Sequence, residues 1–279
     1  MDIGGKTKVT GLFGWPVEHS LSPLMHNAAF GRLNLDYCYV TFPVRPDLLA
    51  DAVRAVRALG LSGVNVTVPH KENVIPHLDE IDKEASFIGA VNTIVNRDGK
   101  LTGYNTDGRG FMKSLQEAGI EVSGKNVLIV GTGGASRAIS YYLSEKASAL
   151  YLFDIDIPKA ERLIGDLSEI RGNVKRAEDI KSVINDMDIM INATPLGLKE
   201  TDPLPIRKDL IFQSTTVIDL IYKETLFLKE AKKRGCRTLD GLGMLLWQGV
   251  IAFELWTGVK PPLEVMRNAL LAGMNTAKK

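Results

Sequence analysis

A glycine-rich segment directly behind an apolar run constrains the fold of this chain more than any other feature. The apolar run covers residues 127–130, and it is followed by Gly131, Thr132, Gly133, Gly134, Ala135 and Ser136. Glycine at the first position permits a tight turn, and glycine at the third lets a ligand approach the backbone. If residues 135–143 then form a helix, the N–H groups at its start can bind the phosphates of a dinucleotide. Ser136 stands where the usual fingerprint has a third glycine, and an ordinary turn between strand and helix is the alternative.

The residues around this segment alternate regularly between strand-like and helix-like patterns. Apolar runs, which predict strands, cover residues 127–130, 150–153, 188–191 and 216–220. These runs are continuous rather than alternating, as expected for parallel strands that are buried on both faces. We therefore predict a Rossmann-like dinucleotide-binding domain over residues 107–240.

The remainder of the chain predicts a second α/β domain. Strands are expected at residues 8–14, 36–44 and 63–68, helices at 23–33 and 47–59, and a bridging helix at 107–118. Asp98 and Gly99 between apolar runs predict a β-hairpin. Helices at 242–256 and 263–273 have no later strand to pair with, so we expect them to pack on the first domain. The result is a substrate-binding domain with a mostly parallel sheet, made of residues 1–106 plus 241–279, and a site in the cleft between the domains.

The composition argues against several classes of protein. The formal net charge is +1, so no long-range field favours nucleic acid or an anionic membrane. No run approaches the ~18 apolar residues of a membrane span, and the N-terminus lacks the apolar region of a signal peptide, so we expect a cytoplasmic protein with a small-molecule partner. The two cysteines, Cys38 and Cys236, show neither a disulfide framework nor a zinc spacing. We expect no metal, because no metal-ligand spacing relates His19, His26, His70 and His77.

Asp154 ends the strand that follows the glycine-rich segment. An acidic residue at this place binds the 2′-hydroxyl of the adenosine ribose in NAD sites. The 2′-phosphate of NADP would meet a carboxylate there, and no arginine occurs at positions 154–157. The alternative is that Asp154 or Asp156 caps the following helix, whose first turn holds Pro158.

A polar strand and the segment behind it are less easily explained by the fold alone. Asn65 and Thr67 alternate with valines along residues 63–68, although a strand facing water would show the same pattern. Residues 69–72 resemble the start of a helix, where the helix dipole disfavours the cation of Lys71. A lysine that extends into solvent is the alternative.

Four further polar residues have structural explanations of unequal strength. Ser22 before Pro23 predicts a helix N-cap, which leaves Ser20 unexplained. Asp107 can cap the helix over residues 107–118. Gln248 is a single amide in an apolar helix, so a core network or a ligand must satisfy its hydrogen bonds.

Seven short motifs occur in a fixed order along the chain. They are HSLSP at 19–23, NVTVPHK at 65–71, GAVNT at 89–93, GYNTDG at 103–108, GTGGAS at 131–136, INATP at 191–195 and DGLGMLLWQ at 240–248. Together they resemble the shikimate dehydrogenase family over essentially the whole chain. The resemblance implies the reversible, NAD(P)H-dependent reduction of 3-dehydroshikimate to shikimate in aromatic amino acid biosynthesis.

The resemblance also implies roles for individual residues. The substrate's hydroxyls and carboxylate would be held by Ser20, Ser22, Asn65, Thr67, Asn92, Asp107 and Gln248. Lys71 and Asp107 would form the catalytic pair, with Tyr222 near the substrate carboxylate. The cofactor would contact residues 131–136 together with Thr194, Leu220 and Gly241, the last beside the nicotinamide.

One departure from the family concerns the cofactor. Most NADP-dependent members carry Asn-Arg-Thr after the second strand of this domain, where this chain has Asp154, Ile155 and Asp156. The family default is NADP, whereas Asp154 indicates that NAD is usable or preferred. A monomer or homodimer fits the family. The alternatives are an enzyme of broader specificity that also acts on quinate, and a non-catalytic dinucleotide-binding regulatory protein, against which the presence of Lys71 and Asp107 argues.

Overall fold

The computed structural model describes residues 3–276, and the chain divides into two compact units. Unit 1 comprises Met1–Thr106 and Gln248–Lys279, and unit 2 comprises Asp107–Trp247. We expected the second segment of unit 1 to begin after Asp240, whereas in the structure it begins after Trp247. The Trp247 Nε1–H donates a hydrogen bond to Glu117 Oε2 at 3.1 Å, which ties this indole to unit 2.

Unit 1 contains a six-stranded mixed sheet. Its elements before the first change of unit are β1 (Lys8–Gly14), α1 (Ser22–Arg32), β2 (Tyr37–Pro43), α2 (Leu49–Ala58), β3 (Gly63–Val66), β4 (Glu80–Ile81), α3 (Lys83–Ile88), β5 (Thr93–Arg97) and β6 (Lys100–Tyr104). The strand order is β2-β1-β3-β5-β6-β4. Three of the pairings are parallel, and β5 is antiparallel to both of its neighbours. The predicted α/β architecture with a mostly parallel sheet is confirmed.

The turn between β5 and β6 is the predicted hairpin. Asp98 has φ 52° and Gly99 has φ 87°, and both values lie in the left-handed region. Two consecutive residues with positive φ make the type I′ turn whose twist matches that of paired strands. The turn closes the register at Arg97 opposite Lys100.

Residues 69–72, expected to start a helix, form turns instead, and that prediction is wrong. The first regular element behind them is a short 3-10 helix, Ile75–His77. Pro76 has no N–H to donate to a carbonyl of the preceding turn, so an α-helix cannot extend through this position. One helical hydrogen bond is present, from the Val74 N–H to the His70 carbonyl at 2.9 Å. Without a helix, the dipole argument about Lys71 does not apply.

The core of unit 1 contains a buried imidazole. His26 of α1 stacks on Tyr39 with ring centroids 4.5 Å apart, and Phe253 stacks on it at 6.2 Å. The side chain is fully buried, and neither ring nitrogen has a hydrogen-bond partner within residues 3–276. Burial lowers the pKa of His26 to about 3, because the imidazolium would lose its hydration there. The ring is therefore neutral at pH 7.

Unit 2 contains a six-stranded sheet that is parallel throughout. Its elements are α4 (Asp107–Glu117), β7 (Asn126–Val130), α5 (Gly134–Lys146), β8 (Ala149–Phe153), α6 (Ile157–Ser168), β9 (Val174–Arg176), α7 (Ile180–Val183), β10 (Ile189–Asn192), β11 (Thr216–Asp219), α8 (Leu226–Lys233) and β12 (Thr238–Leu239). The strand order is β12-β11-β10-β7-β8-β9. The order reverses between β7 and β10, and the carboxyl ends at such a reversal are where doubly wound sheets bind ligands.

The last two helices are α9 (Leu242–Thr257) and α10 (Leu263–Thr276). The part of α9 from Gln248 onward and all of α10 belong to unit 1, as expected for helices that return to the first domain. A Cβ atom on Gly273 would lie 2.5 Å from Leu24 Cδ1, so α10 packs closely against α1 at this glycine. Within residues 3–276, no helix combines the length and apolar character that crossing a membrane requires.

Candidate active site

The glycine-rich segment forms the turn between β7 and α5 of unit 2. Gly131 has φ 96°, and a Cβ atom there would lie 2.9 Å from the Ala193 carbonyl carbon and from Thr194 Cγ2. Only glycine fits both the backbone conformation and this contact. The segment therefore passes directly beside the loop that follows β10.

The N-terminus of α5 has room for a phosphate group. Gly133 is the N-cap residue, and no side chain caps this end of the helix. A Cβ atom on Gly134 would meet no atom within 4 Å. Ser136 is fully buried, with its hydroxyl unpartnered in the described chain, so we expect it to contribute small size and its backbone N–H. This open helix end fits the pyrophosphate of a dinucleotide.

Asp154 is part of the glycine-rich turn rather than a helix cap. Its Oδ2 accepts hydrogen bonds from the Thr132 N–H at 2.7 Å and the Thr132 hydroxyl at 2.8 Å, and its Oδ1 accepts one from the Asp156 N–H at 3.0 Å. The cap of α6 is Asp156, which accepts from the Lys159 N–H. Partial burial raises the pKa of Asp154, but these hydrogen bonds and the charge of Lys159 outweigh it, so the pKa lies below its ordinary value.

Lys159 is a cation that the sequence analysis missed. A Cβ atom on Gly133 would lie 3.9 Å from Lys159 Nζ, so the ammonium group reaches the glycine-rich turn from the first turn of α6. The sequence argument considered only arginine at positions 154–157, whereas this lysine lies at position 159. A lysine in the first turn of the helix that follows Asp154 was the signal that could have identified it.

The loops behind β10 and β11 are joined by a buried polar cluster. Asn192 Oδ1 accepts hydrogen bonds from the Thr194 N–H at 3.0 Å and from its hydroxyl at 2.6 Å. Asn192 Nδ2 donates to Asp219 Oδ1 at 3.0 Å, and the two residues stand opposite each other in the strand register. Burial and the charge of Asp240 raise the pKa of Asp219 above its ordinary value, although the hydrogen bonds it accepts oppose them.

Leu220 and Gly241 lie against each other in the same region. The Gly241 N–H donates to the Ile221 carbonyl at 3.1 Å, and a Cβ atom on Gly241 would collide with the Leu220 carbonyl. Tyr222, next along the loop, has an exposed ring. The structure thus brings Gly131 to Thr194 and Leu220 to Gly241, all within unit 2.

In unit 1, Asn65 and Asn92 meet through a threonine that the sequence analysis gave no role. Asn65 Nδ2 donates to Thr93 Oγ1 at 3.1 Å, and the Thr93 hydroxyl donates to Asn92 Oδ1 at 3.0 Å. Asn92 Nδ2 donates to Thr106 Oγ1 at 3.0 Å. Strands β3 and β5 pair with Asn65 opposite Thr93, which explains the contact. All these side chains are buried.

Tyr39 connects this cluster to the serines of the first motif. The Tyr39 hydroxyl donates to Asn65 Oδ1 at 2.9 Å and also forms a hydrogen bond with the Ser22 side chain. The prediction that Ser22 caps α1 is wrong, because Ser22 lies in the first turn and no side chain caps this helix. The Ser22 N–H instead donates to Ser20 Oγ at 3.2 Å. A tyrosine in a buried strand, which needs a partner for its hydroxyl, was the signal for Tyr39.

The segment that carries Thr67 and Lys71 is held through its backbone. The Thr67 N–H donates to the Phe13 carbonyl at 2.9 Å, and the Lys71 carbonyl accepts from the Val91 N–H at 2.8 Å. His70 between them is buried, with Nε2 2.7 Å from the Val44 carbonyl oxygen. Both ends of the segment are fixed to neighbouring strands and loops, while the Thr67 and Lys71 side chains remain half-buried.

The two remaining candidates lie on helices. Asp107 is the first residue of α4 and is buried, in a position where the helix dipole favours a carboxylate. Gln248 is half-buried in α9. Among residues 3–276 no group of histidine, cysteine, aspartate and glutamate side chains could hold a metal ion.

Three protein-family models match the sequence of this chain. The model described as the shikimate dehydrogenase substrate binding domain matches residues 12–94, that described as shikimate / quinate 5-dehydrogenase matches 113–200, and that described as the shikimate 5′-dehydrogenase C-terminal domain matches 241–271.

Individual relatives match over nearly their whole length. A shikimate dehydrogenase (NADP(+)) of Desulforamulus reducens is 48% identical, with 96% of each chain covered. A crystal structure of a shikimate dehydrogenase in complex with NADP+ superposes with a TM-score of 0.91 at 43% identity, covering 97% of both chains. The shikimate 5-dehydrogenase of Listeria monocytogenes, solved in complex with shikimate and NAD, gives a TM-score of 0.90 at 38% identity, covering 97% of this chain and 98% of that one.

The chain matches these relatives over nearly its whole length and belongs to the shikimate dehydrogenase family of oxidoreductases.

Proposed function

We propose that this chain catalyses the reversible reduction of 3-dehydroshikimate to shikimate with a nicotinamide dinucleotide. The observation that carries the proposal is the buried cluster of Asn65, Thr93 and Asn92 in unit 1, joined through Tyr39 to Ser22. Hydroxyl and amide groups both donate and accept hydrogen bonds, which suits a substrate with several hydroxyls. A dinucleotide turn alone would fit many oxidoreductases, so this cluster supplies the specificity.

The proposed chemistry divides between the cofactor and the chain's own residues. When bound, a reduced nicotinamide would supply the hydride that the carbonyl carbon of the substrate accepts. Lys71 donates a hydrogen bond and then a proton to the carbonyl oxygen, and takes that proton back in the reverse direction. Asp107 orients the lysine and binds an adjacent hydroxyl. Support comes from the fixed backbone around Lys71 and from the placement of Asp107 at the start of α4.

We assign substrate contacts to the residues that the family resemblance indicates. The ring hydroxyls and the carboxylate are bound by Ser20, Ser22, Asn65, Thr67, Lys71, Asn92, Asp107 and Gln248, with Tyr222 near the carboxylate. The exposed ring of Tyr222 supports its role, because a group that binds an incoming ligand must be accessible.

We propose that both nicotinamide dinucleotides are accepted. The relative from Desulforamulus reducens is a shikimate dehydrogenase (NADP(+)), and Lys159 at the glycine-rich turn offers a positive charge to the 2′-phosphate of NADP. Asp154 offers a carboxylate to the ribose hydroxyl of NAD, and the hydrogen bonds from Thr132 hold it beside the turn. No metal takes part in this proposal.

Nicotinamide absorbance during shikimate oxidation tests the reaction directly. The purified chain is assayed with NADP and NAD in parallel, and Lys71→Ala serves as the inactive comparison. General acid–base catalysis contributes about 10²–10⁴-fold, so the variant should lose turnover by about this factor while retaining shikimate binding. Equal losses in turnover and in binding would contradict the role of Lys71. Binding of both cofactors without any turnover would favour a regulatory protein instead.

Quinate is the second candidate substrate, because one matching family model covers quinate as well as shikimate dehydrogenases. A comparison of kcat/KM for the two acids decides between them. A higher kcat/KM with quinate would replace the proposed substrate and keep the chemistry.

Unit 1 binds the substrate and unit 2 binds the dinucleotide. The chain acts as a monomer or homodimer with small-molecule partners and no nucleic acid. A cytoplasmic location follows from the proposed reaction, because nicotinamide dinucleotides and biosynthetic intermediates are pooled there.

A further inference from the structure

We propose that Asp219 is a positioning residue that holds the two loops on the nicotinamide side of unit 2 in the geometry that cofactor binding needs. These loops, residues 193–197 and 220–225, are called the nicotinamide-side loops below. The inference rests on the proposed dinucleotide-binding function and adds a role for a residue to which the family resemblance assigned none.

Asp219 is completely buried at the end of β11 and accepts hydrogen bonds from three residues. Its Oδ1 accepts from Asn192 Nδ2 and from the Ile221 N–H, each at 3.0 Å, and its Oδ2 accepts from the Thr225 hydroxyl at 2.7 Å. A buried carboxylate is costly unless its oxygens are hydrogen-bonded, so these contacts are required for the fold to keep it. No lysine or arginine is paired with it in the described part of unit 2.

The contact with Asn192 reaches the first of the nicotinamide-side loops. Asn192 Nδ2 also donates to the Leu196 carbonyl at 3.0 Å, and its Oδ1 accepts both donors of Thr194. The amide can make all these contacts in only one orientation, with its oxygen toward Thr194 and its nitrogen toward Asp219. The carboxylate and the Leu196 carbonyl together fix the orientation of Asn192, which in turn positions Thr194.

The other two contacts reach the second loop. The Ile221 N–H donates to Asp219, and the Ile221 carbonyl accepts from the Gly241 N–H, so one residue connects Asp219 to Gly241 beside Leu220. Thr225 donates its hydroxyl to Asp219 and caps α8 by accepting from the Leu228 N–H. The candidate cofactor contacts Thr194, Leu220 and Gly241 are thus all connected to one side chain.

The chemistry of the three partners explains why a carboxylate stands here. An amide nitrogen, a backbone N–H and a hydroxyl all donate toward Asp219, and an ionised carboxylate only accepts. An asparagine would turn an N–H group toward one of these donors. Asp219→Asn should therefore retain part of the network, and Asp219→Ala should lose all of it.

The test compares whole cofactors with fragments that lack the nicotinamide half. Calorimetric titration gives dissociation constants for NADP+ and 2′,5′-ADP, and for NAD+ and ADP, with the wild type and each variant. Asp188→Ala is the matched control. This carboxylate also accepts a backbone N–H, from Asn126 at 2.9 Å, but it lies at the amino end of β10, whereas Asp219 lies at the carboxyl end of β11.

Asp219→Ala should weaken whole-cofactor binding by about tenfold or more, which corresponds to the loss of hydrogen bonds to a charged group, and should change fragment binding by less than about twofold. Asp219→Asn should give an intermediate loss with the same selectivity, and it carries the test if the alanine variant does not fold. Asp188→Ala should change neither constant.

Two results would overturn the positioning role. One is an equal loss of whole cofactors and fragments, which indicates general damage to unit 2. The other is wild-type affinity in both Asp219 variants. A wild-type chain that binds no dinucleotide at all would refute the proposed function itself and is distinguished from both by the first titration.

Discussion

Unit 1 and unit 2 present their candidate ligand contacts in opposite ways. In unit 1 the contacts are side chains within or beside strands, and they bond to one another, as Asn65 and Asn92 do through Thr93. In unit 2 most contacts belong to turns, where a glycine conformation and an open helix end do the positioning. The candidate site of unit 2 therefore depends on the backbone conformation of a few residues, whereas that of unit 1 depends on which strands pair.

A glycine substitution in the backbone site of unit 2 should have the largest effect. Gly131→Ala forces a positive φ and a contact at 2.9 Å with Ala193 and Thr194, so we expect the free energy of unfolding to fall by about 3 kcal/mol. Gly134→Ala is the matched control, because a Cβ atom there meets nothing within 4 Å, and it should change stability by less than about 1 kcal/mol. Urea unfolding without cofactor measures both. Similar losses in the two variants would contradict a special conformation at Gly131.

Substitution of two asparagines in unit 1 distinguishes a residue of the substrate site from one that only stabilises the fold. Asn65→Ala should lower kcat/KM for shikimate by about 30-fold or more, because buried partners lose their hydrogen bonds beside the substrate. Asn96→Ala is the control, since Asn96 also joins backbone groups, at Leu61 and Gly99, but lies outside the proposed site. Both should destabilise the chain by about 1–3 kcal/mol, and neither should alter dinucleotide affinity. Comparable losses of kcat/KM in both would mean that the cluster is only structural.

Acid should destabilise unit 1, because His26 can bind a proton only when the chain unfolds. The unfolded imidazole takes up a proton below a pKa of about 6.5, whereas the folded one stays neutral down to about pH 3. Unfolding therefore binds a proton in this window, and the free energy of unfolding should fall by about 1.4 kcal/mol per pH unit as the pH drops, or about 2 kcal/mol between pH 7 and pH 5.

The variant His26→Phe should lack this contribution. Urea unfolding of both chains at pH 7 and pH 5 isolates it, because every other titrating group is shared. Parallel pH dependence in wild type and variant would show that His26 does not carry the acid sensitivity.

The smallest expected effect concerns Lys159 of α6, whose ammonium group lies beside the glycine-rich turn. Lys159→Ala should raise the KM for NADP by about tenfold, the equivalent of about 1.4 kcal/mol, and leave the KM for NAD nearly unchanged. Lys175→Ala, in which the removed cation lies over the Tyr151 ring, should alter neither KM. An equal change for both cofactors would place Lys159 at a group that they share.

Local rules predicted the parts of the fold that depend on local conformation. The hairpin at Asp98 and Gly99, the turn at Gly131 and the parallel sheet of unit 2 all follow from residue types and spacing, and all are present. The same rules failed at residues 69–72, where Pro76 prevents an α-helix, and at Ser22, which lies inside the first turn of α1 rather than before it.

The contacts between distant residues could not be predicted in this way. Asn65 meets Thr93 because β3 pairs with β5, and nothing in either strand specifies that pairing. Asp219 and Asn192 meet because β10 and β11 are neighbours, so a buried aspartate at a strand end gave no sign of its partners. The family resemblance assigned roles to individual side chains, but only the strand pairings of the folded sheet explain why those side chains lie together.

The division of unit 1 into two segments has a consequence for biosynthesis. Trp256 in α9 donates its indole N–H to the Ile94 carbonyl of β5 at 3.0 Å, across 162 positions of the chain. Unit 2 is continuous, so on the ribosome it can complete its sheet while unit 1 still lacks α10 and the part of α9 that begins at Gln248. Unit 1, which contains the Asn65 and Asn92 cluster, is the first to be synthesised and the last to be completed. Until α9 and α10 have been synthesised, its strands must persist without the aromatic side chains of α9 that later cover them.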